Sequence, residues 1–194
     1  MADTVTPQGL LAVCRLVDVP LETVVAARPR LVAVLARVRD PGNAGTVIRA
    51  ADAAGADAVI LTDASVDPYN PKCVRSTAGS LFHLPIVVGR DLPTVVSALR
   101  AAGLRVLAAD GAGAENLDDL LDAAAARPEV SVLCSRHAWV FGNEAWGLPQ
   151  ADRELADVVV RVPVHGRAES LNLATAATVC LYASARAQRR PVRP

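Results

Sequence analysis

Six short runs of apolar, largely β-branched residues recur along the chain, and their spacing constrains the fold more than any other feature. They are Leu31–Val38 (LVAVLARV), Ala58–Thr62 (AVILT), Pro85–Val88 (PIVV), Leu104–Ala109 (LRVLAA), Ala138–Gly142 (AWVFG) and Asp157–Val162 (DVVVRV). Short runs without strict polar alternation read as strands buried on both faces of a sheet. Helical segments with marked ends lie between them. Asn43 is positioned to cap a helix that runs to Ala54 and stops at Gly55, with Val47, Ile48, Ala51 and Ala54 as its apolar stripe. Asn70-Pro71 opens another, Leu92–Ala102 ends at Gly103, and Asp118–Arg127 reads as an Ala-rich surface helix. A last helix is expected from near Ser170 towards Arg189, followed by a basic tail. Strands alternating with helices predict an α/β fold: a mostly parallel six-stranded sheet with helices on both faces.

The 194 residues suffice for one domain with a full core, expected over 31–194. Residues 1–30 are too few for a domain, yet LLAVCRLVDVPLETVV is apolar enough to need a surface to pack on. This part is read as a linker or the remnant of an N-terminal region. Lys plus Arg number 20 and Asp plus Glu number 20, so no global field announces nucleic acid, although a local basic patch is compatible with neutrality. Neither the four cysteines nor the three histidines form a ligand motif, so no metal is expected. MADTVTPQG does not resemble a signal peptide, and every apolar run is too short to span a bilayer. The expected location is cytoplasmic, away from membranes.

Four stretches carry polar residues where an α/β sheet presents them to ligands. GAGAEN, Gly111–Asn116, follows a strand but lacks the third glycine of a dinucleotide fingerprint, since Asn116 stands in its place. A Gly-rich turn explains it better, although with Asp110 it could still line a ligand. Arg39–Asp57 leaves a strand through Pro-Gly into a helix with Asn43, Ala44 and Gly45 in its first turn and Arg49 in its second. Small residues there admit a close approach and a helix N-terminus attracts anions; the plain alternative is a capped surface helix with Arg49 paired to Asp52. WVFGNEAWGLP, Trp139–Pro149, places Asn143 and Glu144 at a strand's C-terminal edge, and equally fits a turn with Asn143 in a left-handed conformation. In VPVHGRAESLNLA, Ser170 is an ordinary cap; Asn172 inside a helix is poorly favoured by propensity, which makes a ligand-facing role plausible, although capping explains this stretch better when it is taken alone.

In combination and order the last three of these stretches resemble the SpoU (TrmH-like) RNA ribose 2′-O-methyltransferases of the SPOUT superfamily. Asn43, Gly45 and Arg49 match the family's N-x-G-x-x-x-R pattern. Gly142, Asn143, Glu144, Gly147 and Leu148 match G-N/A-E-x-x-G-L, and Val162, Pro163, Ser170, Leu171 and Asn172 match its I/V-P…S-L-N entry. The resemblance spans roughly Leu31 to Arg186. It implies a C-terminal trefoil knot, a rare exception to unknotted connections, and S-adenosylmethionine held late in the chain.

By this resemblance Asp110, Gly111, Gly142, Asn143, Val162 and Leu171 hold the cofactor, while Arg49, Asn43, Glu144, Ser170 and Asn172 surround the transfer point. A homodimer is implied, with RNA as substrate, ribosomal RNA before transfer RNA. Contacts to it would fall to Arg39, Arg49, Lys72, Arg75 and the tail Arg189-Arg190. An arginine effectively never deprotonates, so Arg49 is expected to clamp a phosphate rather than act as base. Two other readings stand beside this one: a nicotinamide-dependent oxidoreductase built on GAGAEN, and a catalytically silent RNA-binding or dimerisation module of the same fold.

Overall fold

The computed structural model describes residues 9–10 and 12–189; Arg190 and the rest of the basic tail lie outside the described residues. Seven strands form one parallel sheet: β1 (Leu31–Leu35), β2 (Ala58–Thr62), β3 (Ile86–Arg90), β4 (Arg105–Ala109), β5 (Glu115–Asn116), β6 (His137–Phe141) and β7 (Val158–Arg161). Their order is β3-β2-β1-β6-β4-β7-β5, and every paired neighbour is parallel. The six apolar runs are therefore strands, and the seventh is the two-residue β5 inside GAGAEN. Apolar patterning cannot reveal β5, because backbone pairing of Glu115 with Val160 and Asn116 with Arg161 makes it.

The helices are α1 (Leu21–Ala26), α2 (Pro41–Ala54), α3 (Pro71–Thr77), α4 (Leu92–Ala101), α5 (Leu117–Ala126), α6 (Gln150–Arg153) and α7 (Leu173–Gln188). Side chains alternate across each strand, so every strand but the two-residue β5 feeds two cores. Leu31, Ala33 and Leu35 meet Val47, Ile48, Leu117 and Leu181 of α2, α5 and α7 on one face. Val32 and Val34 meet Leu21, Val24, Val95 and Leu99 of α1 and α4 on the other. Part of the N-terminal stretch thus packs here: the Val19 N–H donates to the Ile86 carbonyl at the sheet edge (2.8 Å). The Tyr69 hydroxyl accepts from the N–H groups of Val17 and Asp18.

Two helix starts differ from the sequence expectation. Helix α2 begins at Pro41, capped by Asp40 rather than Asn43: the Asp40 carboxylate accepts from the Asn43 N–H (2.7 Å). A proline at the first position needs no N–H partner, and this moves the cap back to Asp40. Helix α7 begins at Leu173 rather than near Ser170, and Asn172 is its cap, accepting from the N–H groups of Ala174 (2.8 Å) and Thr175 (3.3 Å). The supposed cost of Asn172 inside a helix therefore vanishes.

Gly45 is a packing residue and not a ligand gap. A Cβ there would lie 2.4 Å from the Cys73 carbonyl oxygen and 2.6 Å from Ser76 Cβ, both on α3. Gly45→Ala is expected to cost about 1–3 kcal/mol by forcing α2 and α3 apart. Urea denaturation checks this, and a midpoint unchanged from the parent would contradict the close α2–α3 packing.

Candidate functional site

Strands β4, β6 and β7 are neighbours, and their C-terminal ends open onto one cavity of about 670 Å³. Such ends are where open α/β sheets receive ligands, and the volume suits a small molecule. Strand β4 delivers Asp110 and Gly111 to its wall, β6 delivers Phe141, Gly142 and Asn143, and β7 delivers Arg161 and Val162. Leu171, Leu173 and Ala176 add an apolar side from the approach to α7 and its first turn.

The loop after β6 is held rigidly. Asn143 and Gly147 exchange backbone hydrogen bonds (3.0 and 2.9 Å), the Asn143 amide donates to the Arg37 carbonyl (2.7 Å), and its carbonyl accepts from the Ala145 N–H (2.9 Å). Gly147, at φ +66°, takes the left-handed conformation of this turn, and Asn143 does not. Gly142 permits the closure: a Cβ on it would lie 2.4 Å from the Gly147 carbonyl carbon and 2.7 Å from the Leu148 nitrogen.

Glu144 projects from this loop to the segment after β1. Its carboxylate accepts from the backbone N–H groups of Asp40 (3.0 Å) and Arg39 (3.2 Å), with a longer contact from the Asn43 amide (3.4 Å). The Asn172 amide donates to the Asn43 side-chain oxygen (3.1 Å). Glu144, Asn43 and Asn172 thus form a polar chain that ties β6, α2 and α7 together. The Asp40 carboxyl is held below its ordinary range, first by the Asn43 N–H and then by the Lys72 ammonium.

All six residues expected around a cofactor line the cavity, as do Glu144 and Ser170. Asn43, Asn172 and Arg49 do not line it. Arg49 lies six residues beyond Asn43, about 120° round the helix from it, and is exposed. It is not paired with Asp52, whose carboxylate instead meets the His83 ring (2.8 Å). Among the described residues neither the Arg49 guanidinium nor the Ser170 hydroxyl has a hydrogen-bond partner. In GAGAEN, a Cβ on Gly113 would strike the backbone of β7 at 2.7 Å, so this glycine serves sheet packing as the turn reading requires. Sequence reasoning missed Arg161, which lines the cavity while its guanidinium donates to the carbonyls of Gly113 and Ala114. It also missed Arg153, which pairs with Asp110 at 3.2 Å. Arg161 directly precedes Val162-Pro163, an adjacency that could have marked it.

Among the described residues no group of three or more His, Cys, Asp or Glu could hold a metal ion, and no helix is long and apolar enough to cross a membrane. The chain is similar to the 23S rRNA (guanosine(2553)-2′-O)-methyltransferase RlmP of Bacillus subtilis (strain 168), at 41% identity over 94% of this chain and 66% of that protein. It is 39% identical, over 77% of its length, to half (50%) of the 23S rRNA (uridine(2479)-2′-O)-methyltransferase of Streptomyces viridochromogenes. The chain thus spans about half to two-thirds of the length of these curated relatives. The crystal structure of the AdoMet-bound rRNA methyltransferase from Sinorhizobium meliloti matches with a TM-score of 0.70 and 37% identity, covering 81% of this chain and 56% of that one. The motifs at the cavity and a family match over residues 30–182 agree: the chain belongs to the SpoU rRNA Methylase family.

Proposed function

We propose that the chain carries the catalytic domain of an S-adenosylmethionine-dependent RNA ribose 2′-O-methyltransferase, with ribosomal RNA as substrate. The observation that carries this reading is the cavity at the ends of β4, β6 and β7, with the Glu144–Asn43–Asn172 chain beside it. Its apolar wall and exposed backbone suit an adenosine, and Asp110, Gly111, Gly142, Asn143, Val162 and Leu171 would hold the cofactor. When bound, S-adenosylmethionine supplies a methyl group on a sulfonium. Ser170 orients the ribose hydroxyl, and Arg49 clamps the adjoining phosphate, which with water takes the proton. Glu144 is a positioning residue, since its carboxylate is already engaged by two backbone N–H groups. Asn172, while capping α7, holds Asn43 beside it.

Arg49 is exposed and does not line the cavity of its own chain, and this favours a homodimer. On α7 the exposed Thr175, Val179, Tyr182 and Arg186 form a stripe at spacings of four, three and four, beside α2 with its exposed Thr46, Arg49 and Ala53. A second copy seated there would bring its Arg49 to the shared site. A trefoil knot also fits the topology. The chain after β7 must return across the ends of β4 and β6 to reach α7, which packs on α2. Residues 31–194 would form the methyltransferase domain, and 1–30 the lead into it.

Calorimetric titration with S-adenosylmethionine, S-adenosylhomocysteine and NAD tests the cofactor assignment: the first two should saturate and NAD should not bind. Arg49→Ala should keep cofactor affinity and lose about tenfold or more in labelled methyl transfer to ribosomal RNA. Parental transfer rates in that variant would remove Arg49 from the mechanism. Cofactor binding without transfer to any RNA would favour the silent module.

A further inference from the structure

Trp146 is the one residue of the Asn143–Gly147 loop that does not line the cavity, and its large ring is 51% exposed. The chain's other tryptophan, Trp139, is fully buried in the core. An exposed indole leaves a large aromatic face unpacked, and this loop is fixed by the hydrogen bonds that shape the site. The Arg39 guanidinium carbon stands 5.3 Å from the centre of the Trp146 ring, within cation–π distance. The backbone N–H of Arg39 is bound by Glu144, so one carboxylate sets both the polar chain at the site and the segment that carries the stacked arginine. Val164, which lines the cavity and is 38% exposed, adds further apolar surface at the mouth.

An aromatic face with a planar cation, presented on a fixed frame beside a ribose-modifying site, matches what unpaired nucleotides offer. A base released from its helix has a free π-face to stack, and the flanking phosphate has a charge for the arginine. A base inside a duplex has both faces occupied. Resting on the methyltransferase reading, we propose that Trp146 and Arg39 form a nucleobase-stacking platform that admits an unpaired nucleotide, so that the substrate is a looped or single-stranded segment of RNA. Specificity for structure is then set at the mouth of the site, while Gly142, Val162 and Leu171 serve the cofactor.

The test titrates the full chain, saturated with S-adenosylhomocysteine, with a short single-stranded RNA of mixed sequence and with its duplex. Fluorescence anisotropy of the labelled RNA reads binding, and tryptophan emission reads Trp146, because Trp139 is shielded. The single strand should quench the emission and the duplex should not. Trp146→Ala should weaken single-strand binding on the order of tenfold, Trp146→Phe should retain most of it, and cofactor affinity should stay at the parental value in both. RNA binding with unmoved emission and unchanged affinity in Trp146→Ala would overturn the platform and leave the methyltransferase reading intact. So would preference for the duplex, or a Trp146 emission that changes with protein concentration alone, which would put the ring in a self-interface. Cofactor binding with no binding of either RNA would overturn the platform and the RNA reading together.

Discussion

Gly142→Ala should lower affinity for S-adenosylmethionine on the order of 100-fold, as read by calorimetric titration, because overpacking at this position costs up to about 3 kcal/mol. The added methyl has no free volume: it would lie 2.4 Å from the Gly147 carbonyl carbon, 2.5 Å from the Gly147 oxygen and 2.7 Å from the Leu148 nitrogen. All three are backbone atoms, so no side-chain rotation relieves the contact. The loop must open, and this breaks the pair of hydrogen bonds between Asn143 and Gly147. Opening it also displaces Glu144, and with it the grip on the Arg39 and Asp40 N–H groups. The variant should therefore lose its cofactor site while β6, buried along its whole length, keeps the sheet intact. Gly166→Ala is the control, since a Cβ there meets nothing within 4 Å. Parental cofactor affinity in Gly142→Ala would show that the loop after β6 does not shape the cofactor site.

Strands and helices were legible in the sequence because burial on two faces leaves a mark: LVAVL, AVILT and AWVFG admit few alternatives to buried strands. The strand order was not legible. The insertion of β6 between β1 and β4 depends on contacts between distant segments, such as Ala33 with Trp139 and Leu107 with Trp139, and no local pattern encodes them. Helix starts misled by one to three residues, because Asp40 and Asn172 compete for capping with Asn43 and Ser170, all good cap formers. The grouping of Gly142, Val162 and Leu171 around one cavity came from their motifs, and Asp110 joined them by its place at a strand end. The engagement of Glu144 by backbone N–H groups and the stacking of Arg39 on Trp146 could not have been read so. Both join residues more than a hundred positions apart.

Acidification should lower the stability of the fold through the histidine sealed between β6 and α7, which together carry much of the site. His137, the first residue of β6, is fully buried, with Nε2 facing the Ser184 hydroxyl of α7 (2.7 Å) and Nδ1 facing the Ser135 carbonyl (2.9 Å). The carbonyl can only accept, so the neutral ring carries its proton on Nδ1, and Nε2 shares the single Ser184 hydroxyl hydrogen with the Cys180 carbonyl (3.1 Å). The Trp139 indole N–H donates to the same hydroxyl oxygen (2.8 Å), completing a sealed network. Among the described residues no carboxylate faces the ring, and burial pushes its pKa from 6.5 down to about 4, against weaker support from the Ser135 and Val132 carbonyls. A lowered folded-state pKa means that the unfolded chain takes up the proton first as pH falls. This contribution to stability is therefore complete above about pH 6.5 and is lost progressively down to about pH 4. Between neutral pH and about pH 5 the loss is about 2 kcal/mol, roughly thirtyfold in the folding equilibrium. The lowered carboxylates Asp40, Asp52, Asp91 and Asp157 titrate in the same direction, so the effect is isolated by difference. His137→Leu keeps the Trp139–Ser184 bond and has no ring to protonate; its urea-derived stability should start lower at neutral pH but fall less steeply on acidification. Parallel pH profiles for the parent and the variant would show that His137 is protonated in the folded protein at ordinary acidity, and that the seal between β6 and α7 is looser than its geometry implies.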